Sequence, residues 1–324
     1  MLNSRKISKK IKQLREEHNL TQSEFADLLG VNYKTAQGYE RGENIPDINK
    51  LPMLADLFNV PLEAIIGDNE PGIEIVRSFI NDDFDNYKFV REIKPAEVVN
   101  VAPILKPNQV DVLIETVKTP LTTEEINVIA PFVKTDRVDK MAENIYNENN
   151  LESIRFIAPF ISDELIDKCA KAEFERSGFE SLRHLAPFIS KSVIDECAKK
   201  ADFDSLRHMT PFISKSVIDE CAKMEFEKSG LDKIRHMAPH ISREVLNELA
   251  KKVDFDSLRH IFPFISKEVI DECAKVEFEK SGLDRIRHLA PHISRDVLNE
   301  LAKKSVEKDG LNSIRHIMPF IDKI

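Results

Sequence analysis

A proline recurs at fixed register through the C-terminal part of the chain, at Pro103, Pro131, Pro159, Pro187, Pro211, Pro239, Pro263, Pro291 and Pro319. Each is preceded by a small or apolar residue and followed two places on by an apolar one. The intervals are 28 residues, except for 24 between Pro187 and Pro211 and between Pro239 and Pro263. Four residues are close to one helical turn, so a short repeat drops a turn without rotating its apolar face out of the core. Residues 203–254 and 255–306 are identical at 43 of 52 positions, which marks a duplicated two-repeat unit.

Each repeat reads as two helices. In the Pro211 repeat, Leu206 and Met209 give the first helix its apolar side, and the proline ends it because it lacks an amide donor and crowds the preceding turn. Ser214 then caps a second helix carrying Val217, Ile218, Cys221 and Ala222 on one face. In the longer repeats this helix runs on to Gly178, Gly230, Gly282 or Gly310, where a left-handed cap is expected. Two helices this short cannot bury a core alone, whereas stacked neighbours can, so the pattern predicts an α-solenoid of nine short repeats. The period is below the ~34 residues of tetratricopeptide repeats and the ~40–47 of HEAT and armadillo repeats. The last repeat, ending at Ile324, lacks a second helix, and this half-repeat is expected to cap the array or pair with a second subunit.

The repeat register also sorts the candidate sites. Cys169, Cys197, Cys221 and Cys273 fall ten residues after their prolines, where other repeats hold Leu113, Met141, Leu249 and Leu301, so they read as core positions. Three residues before the proline stand His184, His208, His236, His260, His288 and His316, each preceded by an arginine: Arg183, Arg207, Arg235, Arg259, Arg287 and Arg315. These form a ladder along one surface. They read either as local ion pairs with Glu180, Asp204, Asp232, Asp256 and Asp284, three residues before the arginines, or as a ligand or partner surface. Packed helices ~8–10 Å apart are too far for the ~2 Å bonds of a shared metal, and His236 with His240, or His288 with His292, lacks a third ligand. No metal and no cofactor are expected. No glycine-rich phosphate loop, nucleophile beside a histidine or isolated acidic pair stands out, and the chain does not read as an enzyme.

The N-terminal stretch carries a different signal. In Thr21 to Gly42, reading TQSEFADLLGVNYKTAQGYERG, Thr21 caps a helix with apolar Phe25, Ala26, Leu28 and Leu29, and Gly30 ends it. A tight turn leads to a second helix from Tyr33 to about Arg41 with Asn32 as its cap. Two short helices joined this closely form a helix-turn-helix, whose second helix is built to enter a DNA major groove.

On Leu20-Thr21-Gln22, Phe25-Ala26, Leu29-Gly30-Val31 and Glu40-Arg41-Gly42, residues 5–67 resemble the lambda-repressor-like (XRE-type) DNA-binding domain. Ile45-Pro46-Asp47, the spacing of Leu51, Leu54, Ala55 and Leu57, and Val60-Pro61-Leu62 fit its fourth and fifth helices. The resemblance implies that Gln22 bonds a phosphate, that Tyr33, Lys34 and Gln37 face bases or backbone, and that Arg41 reaches phosphate; Asn32 and Thr35 complete the set. One departure is Gly38 inside the recognition helix, at a cost of about 1 kcal/mol relative to Ala. Six basic residues and no acid occupy residues 1–15, against three basic and eleven acidic in residues 16–70. Phosphate contact is therefore expected at the first helix and its leading arm as well as at the recognition helix.

These readings give an all-α chain with three parts: a five-helix DNA-binding domain at 1–67, a linker at 68–94 and a repeat domain at 95–324. Within the linker, 73–80 reads as a short helix and 81–86 as a surface turn. A net charge of −9 confines DNA binding to a local patch. No apolar run approaches the ~20 residues that span a bilayer, no signal-peptide core is present, and four cysteines without disulfide spacing fit a reducing compartment. The expectation is a cytoplasmic transcription regulator that binds double-stranded DNA as a homodimer. The layout resembles that of peptide-sensing regulators, which implies a peptide or protein effector on the array. The alternative is a scaffold whose array binds a partner protein while the small domain localises it.

Overall fold

A computed structural model describes residues 4–67 and 72–322, and among these residues the chain forms helices and turns with no strand. It divides between Cys169 and Ala170 into two compact units.

The first unit begins with five helices: α1 (Ser4–Glu17), α2 (Gln22–Leu29), α3 (Tyr33–Arg41), α4 (Lys50–Phe58) and α5 (Leu62–Ile66). Ile7, Ile11 and Leu14 recur at three- and four-residue spacing on α1 and are buried against Phe25 and Leu29 of α2, Leu51, Leu54 and Phe58 of α4, and Ile65 of α5. Each such side chain contributes ~1.5–3 kcal/mol on leaving water. The rings of Phe25 and Phe58 stack with centroids 5.8 Å apart.

This core does not stop at residue 67. It continues through α6 (Ile73–Ile80), α7 (Phe84–Val90), α8 (Pro95–Val101), α9 (Pro107–Thr116) and α10 (Thr123–Ile129), with Ile75, Val76, Val98, Ile104, Val110 and Leu113 buried in the same cluster. The Ile48 amide donates to the Ile104 carbonyl at 2.8 Å, tying the loop before α4 to the first proline turn. Helix α6 has the expected bounds. Of the surface turn expected at 81–86, residues 81–83 form an exposed turn, while Phe84 opens α7, since it is buried and stacks on Phe79 at 4.1 Å. The start of the expected linker, residues 68–71, lies outside the described residues. Arg91 grips the buried Glu97 with two bonds, 2.5 and 3.1 Å. Burial alone would raise the Glu97 carboxyl, but the Arg91 guanidinium and the Lys94 amide outweigh it and hold it below the usual carboxylate range. Helix α11 (Thr135–Glu148) follows, and α12 (Asp163–Ser177) carries the chain across the division.

In the second unit the long limbs of the repeats are α13 (Lys191–Lys200), α14 (Lys215–Ser229), α16 (Arg243–Ala250), α17 (Lys267–Ser281) and α19 (Arg295–Asp309), while α15 (Leu231–Ile234) and α18 (Leu283–Ile286) are single turns. The first limb of each repeat, expected as an α-helix, is mostly 3-10 helix, as over Phe203–Met209, Phe255–His260 and Arg287–His292. A run this short with apolar residues at i and i+3, such as Leu206 and Met209, suits i→i+3 bonding. Nor does the proline always end that limb, since Pro239 and Pro291 lie inside their 3-10 turns.

The serine three residues after the proline precedes the long helix as expected, but most of these serines form no side-chain cap. Instead an Asp or Asn eight residues after the previous proline accepts the serine's backbone N–H: Asp195 from Ser214 at 2.7 Å, Asp219 from Ser242 at 2.7 Å, Asn247 from Ser266 at 2.8 Å and Asp271 from Ser294 at 2.7 Å. Asp139 does the same for Ser162 in the first unit, at 2.9 Å. One repeat thus satisfies an orphan donor at the helix start of the next.

The glycines closing the long helices differ from expectation. Gly230 (φ 74, ψ −169) and Gly282 (φ 75, ψ −170) have positive φ with extended ψ, a region open essentially to glycine alone, and not the left-handed cap. That geometry turns the chain at once into the next short limb. Cys169, Cys197 and Cys221 are buried and Cys273 is half-buried. Burial pushes the Cys169 thiol up to about 11 and raises the other three. That is the environment of packing residues, since the reactive form is the thiolate.

Candidate nucleic-acid interface

Helices α2 and α3 are placed by their own caps. Thr21 and Glu24 form a reciprocal box: the Glu24 amide donates to Thr21 Oγ1 at 3.2 Å and the Thr21 amide to Glu24 Oε2 at 2.8 Å. The Thr21 amide and hydroxyl hold the Glu24 carboxyl below its usual range. Gly30 (φ 65, ψ 43) closes α2, and Lys50 Nζ donates to the Leu29 carbonyl at 2.9 Å. Asn32 Oδ1 then accepts from the Thr35 amide at 2.8 Å and the Thr35 hydroxyl at 3.0 Å, which fixes the first turn of α3.

Behind the recognition helix runs a polar chain that the sequence reading did not single out. The carboxylate of Glu40 is paired to the Arg15 guanidinium, with side chains 2% and 12% exposed. Gln22 Nε2 donates to Glu40 Oε2 at 2.8 Å, and the Tyr33 hydroxyl donates to Gln22 Oε1 at 3.0 Å. Arg15 also donates to the Leu20 carbonyl at 2.7 Å, and the Glu40 hydrogen bond raises its pKa. Three helices are thereby locked by one buried pair. Arg15, counted on sequence among the basic residues facing phosphate, is held inward; Arg5, Lys6, Lys9 and Lys12 of α1 stay exposed. The available signal was Glu40 itself, an acid on the otherwise apolar inner side of α3.

Asn32, Tyr33, Lys34, Thr35, Gln37 and Arg41 line one open depression of about 790 Å³, together with Glu43 and Asn44. Tyr33, Lys34 and Arg41 are exposed, and Gln37 is half-buried. Gln22 lies beside this surface through its bond to Tyr33. Arg41 Nη2 donates to Gln37 Oε1 at 2.6 Å and its Nε lies 3.3 Å from Glu43, so both α3 side chains have internal partners. Gly38 is also accounted for: a Cβ there would stand 2.7 Å from Asn44 Nδ2, and the Gly38 carbonyl accepts from the Glu43 amide at 3.0 Å. A Cβ at this position would displace the exposed Asn44 side chain and not the backbone of the 42–44 turn.

In the second unit the six ladder histidines are exposed. Arg235 and Arg287 pair with Asp232 and Asp284, at 3.3 and 3.7 Å. Asp204 and Asp256 instead reach forward to Lys233 and Arg285 of the next repeat, at 3.4 and 3.3 Å. His292 stacks on Phe262 with centroids 4.8 Å apart. Among the described residues no three His, Cys, Asp or Glu side chains come together in a way that could hold a metal ion. No described helix is long and apolar enough to cross a membrane.

Two capped helices joined by a tight turn, with polar side chains gathered on the outer face of the second, define a helix-turn-helix DNA-binding domain. A family model described as "Helix-turn-helix" matches residues 11–65. The cryptic phage CTXphi transcriptional repressor RstR of Vibrio cholerae is 36% identical over 68 residues, 21% of this chain and 61% of the repressor. The HTH-type transcriptional regulator YobD of Bacillus subtilis is 32% identical over 92 residues, 26% of this chain and 82% of that protein. AnsR of the same organism, also an HTH-type transcriptional regulator, is 38% identical over 58 residues, 18% of this chain and half of its own length. No solved structure matches the chain. The chain belongs to the XRE-type helix-turn-helix regulators.

Proposed function

We propose that this DNA-binding regulator is sequence-specific, that it binds a two-fold operator as a homodimer, and that its repeats sense an effector, pair two chains or bind a partner. The observation that carries the reading is the gathering of Tyr33, Lys34, Gln37 and Arg41 on one open surface, backed by the buried Arg15–Glu40 pair. A recognition helix fixed from behind presents its side chains to base edges without first paying an ordering cost. One such domain offers few phosphate contacts, and two half-sites about one helical turn apart multiply them. On this reading the chain acts by occupying DNA and carries no catalytic role.

The test is selection of DNA from a random pool by the full chain, in parallel with a variant carrying Tyr33→Ala, Lys34→Ala and Gln37→Ala. An enriched two-fold site that the variant fails to select is the expected result. Enrichment of a single half-site would remove the dimer. No enrichment by the folded protein would remove sequence-specific binding and favour the scaffold.

A further inference from the structure

The Arg–His ladder belongs to the second unit, whereas α3 belongs to the first. We propose that it is a second, sequence-independent nucleic-acid contact that holds a phosphodiester backbone along the second unit.

The first support is unspent positive charge. Arg183, Arg207, Arg259 and Arg315 have no ion pair among the described residues, and Arg183, Arg207, Arg259 and Arg315 are exposed. Two of them are left so because Asp204 and Asp256, three residues before Arg207 and Arg259, bond to Lys233 and Arg285 of the following repeat. Elsewhere on this unit the charges cancel between successive repeats, as in Lys199–Glu220 at 2.6 Å, Lys223–Glu248 at 2.5 Å and Lys251–Glu272 at 2.6 Å. Residues 170–324 carry 27 basic and 27 acidic side chains, so the unit is neutral with its histidines uncharged, and the acids nearest Arg207 and Arg259 are turned to Lys233 and Arg285.

The second support is the side chains that accompany the arginines. Eight of the nine histidines of the whole chain lie on the short limbs, at the ladder or one residue after a proline. At the ladder register the three earlier repeats carry Asn100, Val128 and Phe156, so the feature is confined to this unit. Between two rungs, Asp232, Asp256, Ser257, Arg259, His260 and His288 line a depression of about 540 Å³, in which the two carboxylates are paired to Arg235 and Arg285. A guanidinium binds phosphate through paired donors, and an imidazole can donate to it or stack on an unpaired base.

The third support decides the class of ligand. The two copies of the 52-residue unit keep Arg207/Arg259, His208/His260 and Ser205/Ser257 alike. Near-identical rungs suit a ligand that presents the same group at every step, as a phosphodiester chain does. A peptide read for its sequence would meet different side chains at each rung. Rungs roughly 8–10 Å apart, the spacing of packed helices, correspond to about three nucleotides of a strand.

The test uses the full chain in the Tyr33→Ala, Lys34→Ala, Gln37→Ala background, with and without Arg183→Gln, Arg207→Gln, Arg259→Gln and Arg315→Gln. Affinities for random-sequence duplex DNA, single-stranded RNA and polyglutamate are measured across a salt series. The background protein should bind nucleic acid, and the ladder variant should bind at least about tenfold more weakly, with a log–log salt slope shallower by about 3–4 on duplex. Tighter binding of RNA than of duplex identifies a single strand as the source of the phosphates, and the reverse identifies DNA. The proposal is overturned if the background protein binds neither nucleic acid, if the ladder variant keeps the slope, or if polyglutamate binds as tightly as either. Should the fourfold variant lose its circular dichroism signal, Arg207→Gln and Arg259→Gln are tested singly, each expected to remove about 0.9 from the slope. Operator selection by the native domain is a separate readout, so failure of either result leaves the other standing.

Discussion

At the scale of single residues, one buried pair separates folding from recognition. Glu40 and Arg15 hold α1 and α3 together, while Arg41, next in sequence, is exposed. Replacing Glu40 by Ala leaves the Arg15 guanidinium with the Leu20 carbonyl and the more exposed Glu16 in place of its buried partner, and a cost of about 1–3 kcal/mol is expected, read as a lower midpoint in thermal or urea unfolding. Arg41→Ala should change stability by less than about 0.5 kcal/mol yet weaken DNA binding and reduce the salt slope by about 0.9. An equal loss of stability in both variants would contradict this division. The thiols give a second prediction. Cys273 is the one that is not fully buried, so a thiol reagent applied to the native protein should label it first, ahead of Cys169, whose thiol is pushed up to about 11. The sequence already placed all four cysteines in the core, since Leu and Met fill the same register. It could not show that Glu40 turns inward, because the identity of an acid does not reveal which neighbour neutralises it.

Among the elements, caps and periods were legible and hydrogen-bond type was not. Thr21, Gly30 and Asn32 give the bounds of α2 and α3 from sequence, because each residue type has a distinct local function at a helix end. The short limbs read as α-helix because a spacing of three, as in Leu206 and Met209, is common to the α turn and the 3-10 turn. The link from Asp219 to the Ser242 amide joins residues 23 apart, beyond what local pattern reaches. That link gives a prediction by substitution. Asp219→Ala strands a backbone donor and should cost about 1–3 kcal/mol, whereas Asp219→Asn should be nearly neutral, since Asn247 makes the same bond at 2.8 Å. Equal losses in the two variants would mean that the bond does not hold the repeats together. In the first unit, Glu97 sets an acid limit. Its carboxyl lies below the unfolded range, so its contribution is full above about pH 4.3 and is lost as pH falls through the folded value. Glu97→Gln should lower stability at neutral pH and flatten the acid limb of the stability curve, measured by urea unfolding at stepped pH.

For the whole molecule, the repeat is the clearest feature of the sequence. Composition suggested a linker at 68–94, yet Ile73, Ile75, Val76 and Phe84 join the core begun by Ile7 and Phe25, so a polar tract with a few apolar residues was enough to continue it. The near identity of residues 203–254 and 255–306 supports a test at this scale. Deleting residues 203–254 joins Asp202 to Phe255, and the sequence then supplies the missing neighbours again: Asp195 meets Ser266 in place of Ser214, and Lys199 meets Glu272 in place of Glu220. In a solenoid each repeat contacts its neighbours, so on that architecture stability should fall by the share of one 52-residue unit and its interface while the rest stays folded. The expected outcome is a shorter chain with unchanged helicity per residue, a lower thermal midpoint and the same selected half-site. An unfolded product would show that the second unit folds as one indivisible core. A changed half-site would show that the repeats reach into base recognition by α3.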